Sequence, residues 1–267
     1  MMIMLSTLVM MLSGLAAGCW LVALVMTLAP RTRSLSWAPR LLWLGVISLA
    51  ALLFVVWVKL GHPPLRTLGQ TRLWYCLLLA VIGGLAQRRW QAPTLTAPCL
   101  IMGLVFLGIT LARPEAFDTP LPPALRSIWF VPHVIVYMVA YAALGLAAAW
   151  SAALIFKRLV RRVPVDGASA DHIQRLMRLS IPFLTAGLVF GAIWAWQAWG
   201  RYWSWDPKET WAFATWAIYL LIDHITVHRR VGPSAVVTMA LLGFLVVLGA
   251  WFGVNALPTA AQSIHTY

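Results

Sequence analysis

The chain has 267 residues, of which 62% are hydrophobic and only 10% are charged. A water-soluble domain carries roughly 25% charged residues, so this composition excludes an ordinary soluble fold. The formal net charge is +13, but the basic residues are spread over short loops. No basic stripe is long enough to follow a phosphate backbone, which argues against a nucleic-acid partner.

Eight membrane-spanning helices are expected, in an all-α polytopic bundle. Their approximate bounds are 7–29, 41–60, 73–87, 97–112, 131–156, 179–195, 211–227 and 234–255. Helices are favoured over barrel strands because the apolar runs are continuous rather than alternating. The first run is interpreted as a retained membrane helix, since it lacks the basic segment and cleavage site of a signal peptide. The third and fourth are short for a hydrocarbon core of about 30 Å.

Basic residues alternate between rich and poor loops. The rich loops follow the first, third, fifth and seventh helices, and the fifth-to-sixth loop ends in an amphipathic stretch, 171–178. Because cytoplasmic loops carry the excess of Lys and Arg, both termini are predicted on the non-cytoplasmic side. The loops 61–72, 113–130 and 196–210 are predicted on that side too. Three cysteines without CxxC spacing argue against thiol redox chemistry or a zinc site.

Tryptophan is concentrated in one of these outer loops and its flanks. Of the 16 tryptophans, seven are Trp194, Trp196, Trp199, Trp203, Trp205, Trp211 and Trp216. An aromatic belt at the membrane interface would account for two or three of them, but not for their crowding into one segment. Indole faces form a large, flat, apolar surface, which suits a flat conjugated ligand.

The charged residues of this loop have two interpretations. Asp206, Pro207 and Glu209 fit the N-cap, first and third positions of the seventh helix. Arg201 and Lys208 can either support the loop or pair with the carboxylates of a ligand. The sequence alone leaves both roles open for these two cations.

Two histidines are predicted at the same membrane face as the tryptophan loop. His133 lies at the outer end of the fifth helix, and His265 lies just beyond the eighth. Haem iron accepts one imidazole on each side of the ring. His224 lies 13 residues after Trp211 and hence about 20 Å deeper. It is either a second haem contact or an interfacial polar pair with Asp223. The remaining histidines, His62, His172 and His228, are interpreted as structural or solvated.

The tryptophan loop also carries a family resemblance. It reads Trp194-Ala195, then Ala198-Trp199-Gly200, then Tyr202-Trp203-Ser204-Trp205-Asp206-Pro207-Lys208-Glu209-Thr210-Trp211-Ala212. This run resembles the WWD haem-handling signature of the CcsA family, the membrane subunit of System II cytochrome c biogenesis. Shorter stretches are also similar: Pro123-Ala124-Leu125-Arg126-Ser127, Ala140-Tyr141-Ala142-Ala143-Leu144, Ile181-Pro182-Phe183-Leu184-Thr185, Gly253-Val254-Asn255 and Ile264-His265-Thr266-Tyr267. The resemblance is weak over the N-terminal transmembrane helices, 1–120, and strong over a CcsA-like core, 121–267.

The resemblance implies a specific task. Haem b, as bound ligand and substrate, would be held by His133 and His265 under the WWD loop. The family pattern extends the haem site to His224, at the place of a transmembrane histidine, and to the loop residues Trp199, Trp203, Trp205 and Asp206. Arg201 and Lys208 of the same loop are candidates to pair with the carboxylates of the haem. Haem vinyl groups would form thioethers with an apocytochrome c carrying Cys-x-x-Cys-His, at the periplasmic or other extracytoplasmic face of the cytoplasmic (inner) membrane. A CcsB-like membrane partner would complete this cytochrome c synthase, or haem lyase.

Two other functions remain open at this point. A CcmC-type protein also has a WWD loop and two flanking histidines, but it delivers haem to a chaperone without forming thioethers. The segment Asp206-Pro207-Lys208-Glu209-Thr210 favours CcsA over this alternative. The second alternative is a membrane assembly factor or regulator that keeps the fold without binding haem, and the complete tryptophan loop argues against it.

Overall fold

The computed structural model describes residues 2–28, 37–112, 127–229 and 231–252. Its helices are α1 (Met2–Leu28), α2 (Ala38–Leu60), α3 (Leu68–Trp90), α4 (Thr96–Leu111), α5 (Phe130–Arg161), α6 (Gly167–Trp199), α7 (Pro207–His228) and α8 (Pro233–Trp251), with a short 3₁₀ turn (Pro93–Leu95) before α4. In the described ranges, every one of these α-helices except the 16-residue α4 is long and apolar enough to span a membrane. The expected all-α, multi-pass fold is confirmed.

Two helices begin well before the positions predicted from their apolar runs. The third starts at Leu68, where the Thr67 side chain accepts a hydrogen bond from the Gln70 amide at 3.3 Å. The sixth starts at Gly167, where Asp166 accepts from the Ser169 amide at 2.7 Å. The amphipathic stretch 171–178 is therefore the first part of α6. Hydropathy located only the apolar part of each helix, whereas the capping residues mark where it begins.

Residues 1–120 form one compact unit, called unit 1 below. In it α1 packs against α2 and α4, and α3 packs against the same two helices. Trp20 of α1 is completely buried, and its indole N–H donates to the Leu42 carbonyl oxygen at 3.1 Å. Glycines give the ring its space: a Cβ atom on Gly45 would lie 2.2 Å from Trp20 Nε1, and one on Gly103 would lie 3.0 Å from Cζ3. These glycines allow α2 and α4 to close around one large side chain.

Residues 121–267 form the second compact unit, unit 2. Here α5 packs against α6 and α8, and α7 packs against α6 and α8. The middle of α5 is buried through small side chains, Ala140, Ala142, Ala143, Ala147 and Ala148. One end of the unit, here called the loop end, is formed by the start of α5, the end of α6, the start of α7 and the end of α8. At this end Phe130 contacts Trp194, and Trp251 contacts Tyr141.

Near the opposite end of unit 2, polar side chains join α6 to α7. Arg178 Nε lies 2.5 Å from Asp223 Oδ1, and Gln174 donates to the Thr226 hydroxyl at 2.7 Å. The ion pair is partly exposed, so it contributes at most about 1 kcal/mol in water. The ion pair directs the Asp223 carboxylate toward α6.

The substitution Gly45→Ala should destabilise unit 1. The added methyl group would collide with Trp20, so the helices must separate or the indole must move, which costs about 1–3 kcal/mol in overpacked cores. Thermal unfolding of the purified protein in detergent measures this loss. Gly108→Ala is the matched control, because nothing lies within 4 Å of the position of its Cβ atom. Equal effects of the two substitutions would contradict the packing of Trp20.

Candidate functional site

His133 is held between α5 and α6 by a bond to the protein backbone. Its Nδ1 atom lies 2.9 Å from the carbonyl oxygen of Gly187, 54 residues away in the chain. A carbonyl oxygen can only accept, so Nδ1 carries the hydrogen and the lone pair lies on Nε2. Metal-binding histidines in proteins use this arrangement, in which a second-shell acceptor fixes the tautomer and the ring orientation. The half-buried ring therefore has the chemical form of a metal ligand.

Two glycines of α6 let this imidazole approach the helix. A Cβ atom on Gly191 would lie 2.7 Å from Cε1 of His133, and one on Gly187 would lie 2.7 Å from Cε2 of Tyr137. Gly187 and Gly191 are four residues apart on α6, and His133 and Tyr137 are four residues apart on α5. Each glycine therefore faces one ring on successive turns of the two helices. Neither Gly187, Gly191 nor Tyr137 was among the predicted site residues. Small residues at i and i+4 in a membrane helix were the available signal.

Trp194 connects His133 to the tryptophan loop. The indole is buried, with 3% of its surface exposed, and it stacks on the imidazole with a centroid distance of 5.5 Å and an angle of 30°. Its edges meet Phe130 at 5.3 Å and Trp199 at 4.9 Å. Trp199 is the last residue of α6, so this ring cluster joins the start of α5 to the start of the loop. Sequence analysis placed Trp194 in the loop motif but not among the ligand-binding residues.

The carboxylate of Glu209 fastens the other end of the loop. Its Oε2 atom accepts from the Ser204 amide at 2.7 Å, the Ser204 hydroxyl at 3.2 Å and the Asp206 amide at 3.1 Å. Asp206 is buried, and its side chain accepts from the Lys208 amide at 2.9 Å. It also accepts from the Glu209 amide, which completes a capping box at the start of α7. The predicted capping roles of Asp206, Pro207 and Glu209 are confirmed, and Glu209 does more than the prediction assigned to it.

Trp205 is displayed by a strained backbone. Its φ angle is +59°, in the left-handed region that costs non-glycine residues roughly 1–2 kcal/mol. Glu209 holds the residues on both sides of it, and the Thr210 hydroxyl donates to its carbonyl oxygen at 3.2 Å. Its indole is nevertheless 65% exposed. Strain maintained in order to expose a large aromatic ring is typical of a ligand-binding position.

Further rings extend the aromatic surface along the loop end of unit 2. Trp203 meets Trp205 edge-to-face at 5.7 Å, and both lie near Phe213 of α7. Trp196 and Tyr202 form a parallel stack at 4.9 Å, and both are more than half exposed. Arg201 is exposed and Lys208 is half-buried beside these rings. A surface of this kind can hold a flat apolar molecule with anionic groups at its edge.

The remaining predicted haem ligands have different positions. His224 is exposed on α7, and its ring lies 4.5 Å from that of His228, one turn further along the same helix. The sequence pattern does not predict this pair, since it places His228 in a solvated flank. Asp223, the sequence neighbour of His224, forms an ion pair with Arg178 of α6. His265 lies outside the described residues.

Other histidines lie outside the aromatic surface. His172 stacks on the buried Trp150 of α5 at 6.0 Å. In unit 1, Nδ1 of His62 lies 3.1 Å from the Pro63 carbonyl oxygen.

Comparison with known proteins gives a consistent result. The family model described as "Cytochrome C assembly protein" matches residues 8–261. The chain is 33% identical to the cytochrome c biogenesis protein CcsA of Chlamydomonas reinhardtii, covering 86% of this chain and 68% of the relative. It is 31% identical to CcsA of Synechococcus sp. (strain WH7803), covering 96% and 94%. The solved structure of the cytochrome c haem lyase CcmF matches with a TM-score of 0.66 at 23% identity, over 96% of this chain and 47% of that one. This last likeness shows a common fold with about half of the larger protein.

Replacement of Glu209 by Ala should loosen the loop. Charge-assisted hydrogen bonds contribute about 1.5–3 kcal/mol each, so amide exchange at Ser204 and Asp206 should accelerate about tenfold to a hundredfold. Hydrogen–deuterium exchange with peptide-level mass spectrometry measures this change. Glu209→Gln keeps an acceptor oxygen and should fall between Glu209→Ala and the unmodified protein. Unchanged exchange in Glu209→Ala would show that the carboxylate does not fasten the loop.

Proposed function

Because the chain belongs to the CcsA family of cytochrome c assembly proteins, we propose that it binds haem between His133 and His265 beneath the tryptophan loop, as the CcsA-like subunit of a cytochrome c synthase. Membership of this family means that the chain is a multi-pass membrane protein that handles haem for its attachment to cytochrome c. The proposal adds to this which residues bind haem, at which face of the membrane they lie and which partner protein is needed.

The hydrogen bond from His133 Nδ1 to the Gly187 carbonyl oxygen carries the proposal. Because it places the proton on Nδ1, Nε2 is the ring nitrogen with the chemistry to bind iron. The bond also fixes the ring against α6, so iron binding needs no reorientation of the imidazole. Stacking on Trp194 adds an apolar wall beside the ligand atom. This environment suits haem, whose own faces are apolar.

His265 would supply the second axial ligand from the segment that follows α8. That helix ends at Trp251, next to Tyr141 of α5 and at the loop end of unit 2. His265 lies 14 positions after Trp251, and an extended chain of this length can span up to about 46 Å. A return of this segment to His133 is therefore sterically easy.

The loop would contribute the surface and the countercharges. Trp199, Trp203 and Trp205 present indole faces and edges, while Asp206 acts through the capping box that shapes the loop. Arg201 and Lys208 are the cations that can pair with the two haem propionates. Haem b is the form that fits this reaction, because its vinyl groups are still free.

The chemistry makes few demands on this chain. Each thiol of the apocytochrome adds across a vinyl group: a C–S bond forms, the thiol hydrogen passes to the other vinyl carbon, and no electrons are gained or lost. The bundle contributes iron ligation and orientation. The apocytochrome brings both thiols in its Cys-x-x-Cys-His motif and a histidine that can replace one of the bundle's ligands.

His224 would make a second, deeper haem contact together with a histidine of a CcsB-like membrane partner. The chain would lie in the cytoplasmic (inner) membrane with the loop end of unit 2 at the periplasmic or equivalent face, as the distribution of basic residues predicts. His224 would then lie near the opposite face, where membrane lipid and the partner can reach its exposed ring. The CcmC-type alternative, haem delivery without thioether formation, shares the same ligands.

The substitution His133→Gly should abolish the six-coordinate haem spectrum of the purified protein. Loss of an iron ligand should reduce the haem retained through purification about tenfold or more, since even second-shell losses cost 10- to 100-fold in metal affinity. Added imidazole should restore the spectrum by occupying the vacated position. Absorption spectra of the oxidised and reduced protein measure both effects.

His172→Gly is the matched control for this experiment, because it removes a histidine of the same unit that stacks on Trp150 away from the loop. A second variant, Gly191→Ala, keeps the imidazole but places a methyl group against it, and should alter the spectrum without imidazole rescue. An unchanged spectrum in the His133→Gly, His265→Gly double variant would rule out the proposed ligands.

Co-expression with a CcsB-like partner and a reporter apocytochrome c should yield covalent holocytochrome. The Trp205→Ala variant should reduce this yield while leaving the partner complex intact. Haem staining of denatured protein after electrophoresis measures the covalent product. Holocytochrome formation that requires a separate haem chaperone would instead favour the CcmC-type function.

A further inference from the structure

A cleft between α2 and α3 in unit 1 has no role in the proposed haem chemistry. Its volume is about 600 Å³, and its lining includes Arg40, Trp43 and Ile47 of α2 and Gly84, Gln87 and Arg88 of α3. The start of α2 and the end of α3 form its two sides. It therefore lies at an end of the helices, where head groups and acyl chains of a bilayer meet.

The polar lining of the cleft is cationic. Arg40 and Arg88, one from each helix, are both exposed, and the amides of Gln87 and Gln91 lie on the side of α3. The guanidinium of Arg40 is held over the Trp37 ring at 4.6 Å, which leaves its planar N–H groups able to donate. No Asp or Glu occurs among the lining residues. The cleft is thus built for an anion with several acceptor oxygens.

The start of α2 adds to this preference. The helix begins at Ala38 without a side-chain hydrogen bond from its N-cap residue, Trp37. The positive end of its dipole therefore lies on the same side of the cleft as Arg40. Arg40 and Arg88 add two full positive charges to the partial charge of the helix end.

The other half of the lining is apolar. Trp43, Leu44 and Ile47 continue along α2, and Ile47 lies about 10 Å along the helix axis from Arg40. Gly84 of α3 lets Trp43 lie close, since a Cβ atom there would be 3.0 Å from Cζ2 of the indole. Leu44 and Ile47 are 45% and 63% exposed. The ligand must therefore be anionic at one end and hydrocarbon at the other.

We propose that this cleft binds one anionic phospholipid, with the phosphate between Arg40 and Arg88 and the first acyl carbons along Trp43 and Ile47. Basic pockets between membrane helices on the cytoplasmic side are typical sites for such head groups. Haem has the same mixed character, but no His, Cys, Met or Tyr lines the cleft to bind its iron. The lipid would link α2 to α3, and its binding is independent of the proposed haem site.

The test uses the full chain, purified in detergent and exchanged into micelles with equimolar phosphatidylglycerol and phosphatidylcholine. Native mass spectrometry counts the phosphatidylglycerol molecules retained. Each arginine near an anionic lipid contributes about 1 kcal/mol, so Arg40→Gln and Arg88→Gln should each weaken retention of one molecule about fivefold, and the double variant about 25-fold. Inorganic phosphate added in excess should not displace the lipid, because it cannot fill the apolar wall.

Arg89→Gln is the matched control, since Arg89 is an exposed neighbour of Arg88 in the same turn but does not line the cleft. It removes the same charge from the same end of α3, so it also controls for changes in membrane orientation. Retention should be normal in this variant. Equal retention of phosphatidylcholine, displacement by inorganic phosphate, or full retention in the double variant would each overturn the proposal. The haem spectrum should be normal throughout, which separates this test from that of the haem site.

Discussion

The close approach of α5 to α6 at Gly187 and Gly191 is the constraint on which the candidate site depends. Without a side chain at either position, the imidazole of His133 can reach a backbone carbonyl inside a neighbouring helix, and Tyr137 can pack one turn below it. The Gly187 carbonyl has a second lone pair beyond the one used in its own helix, so the additional bond costs α6 nothing. The same close contact between α5 and α6 therefore packs the two helices and orients the His133 imidazole.

The tryptophan loop depends on a second polar interaction, the carboxylate of Glu209. Three hydrogen bonds to one oxygen hold the backbone on both sides of Trp205, which compensates for its left-handed conformation. The result is a segment, fastened by hydrogen bonds, that exposes large aromatic rings instead of burying them. A fixed loop geometry matters for the proposed reaction because the bundle would supply orientation rather than acid–base groups. The loop and His133 are joined through the ring contacts of Trp194 and Trp199.

Each of the two units contains cations beside apolar surface, but their chemistry differs. In unit 2, Arg201 lies in the tryptophan loop and Lys208 lies at the start of α7 beside it. The ring contacts of this loop lead to an imidazole that can bind iron. In unit 1, Arg40 and Arg88 flank a cleft without an iron ligand and with an acyl-sized apolar wall. The first combination fits a porphyrin with carboxylates, and the second fits a phospholipid. Both sites carry two cations, and they differ in that only the site of unit 2 has an imidazole, that of His133, which can coordinate iron.

The sequence by itself determined the membrane bundle, the approximate helices and the tryptophan loop, because hydropathy and capping act over a few residues of chain. The capping box of Asp206 and Glu209 could be predicted since its bonds join residues three positions apart. The apolar pattern places the start of α6 about three turns too late, because hydropathy does not detect the amphipathic first part of the helix. The tautomer of His133, the stacking of Trp194 and the pairing of Asp223 with Arg178 were decided only by the tertiary structure. These contacts join residues from different helices, up to 61 positions apart for His133 and Trp194, and depend on where glycines let those helices cross.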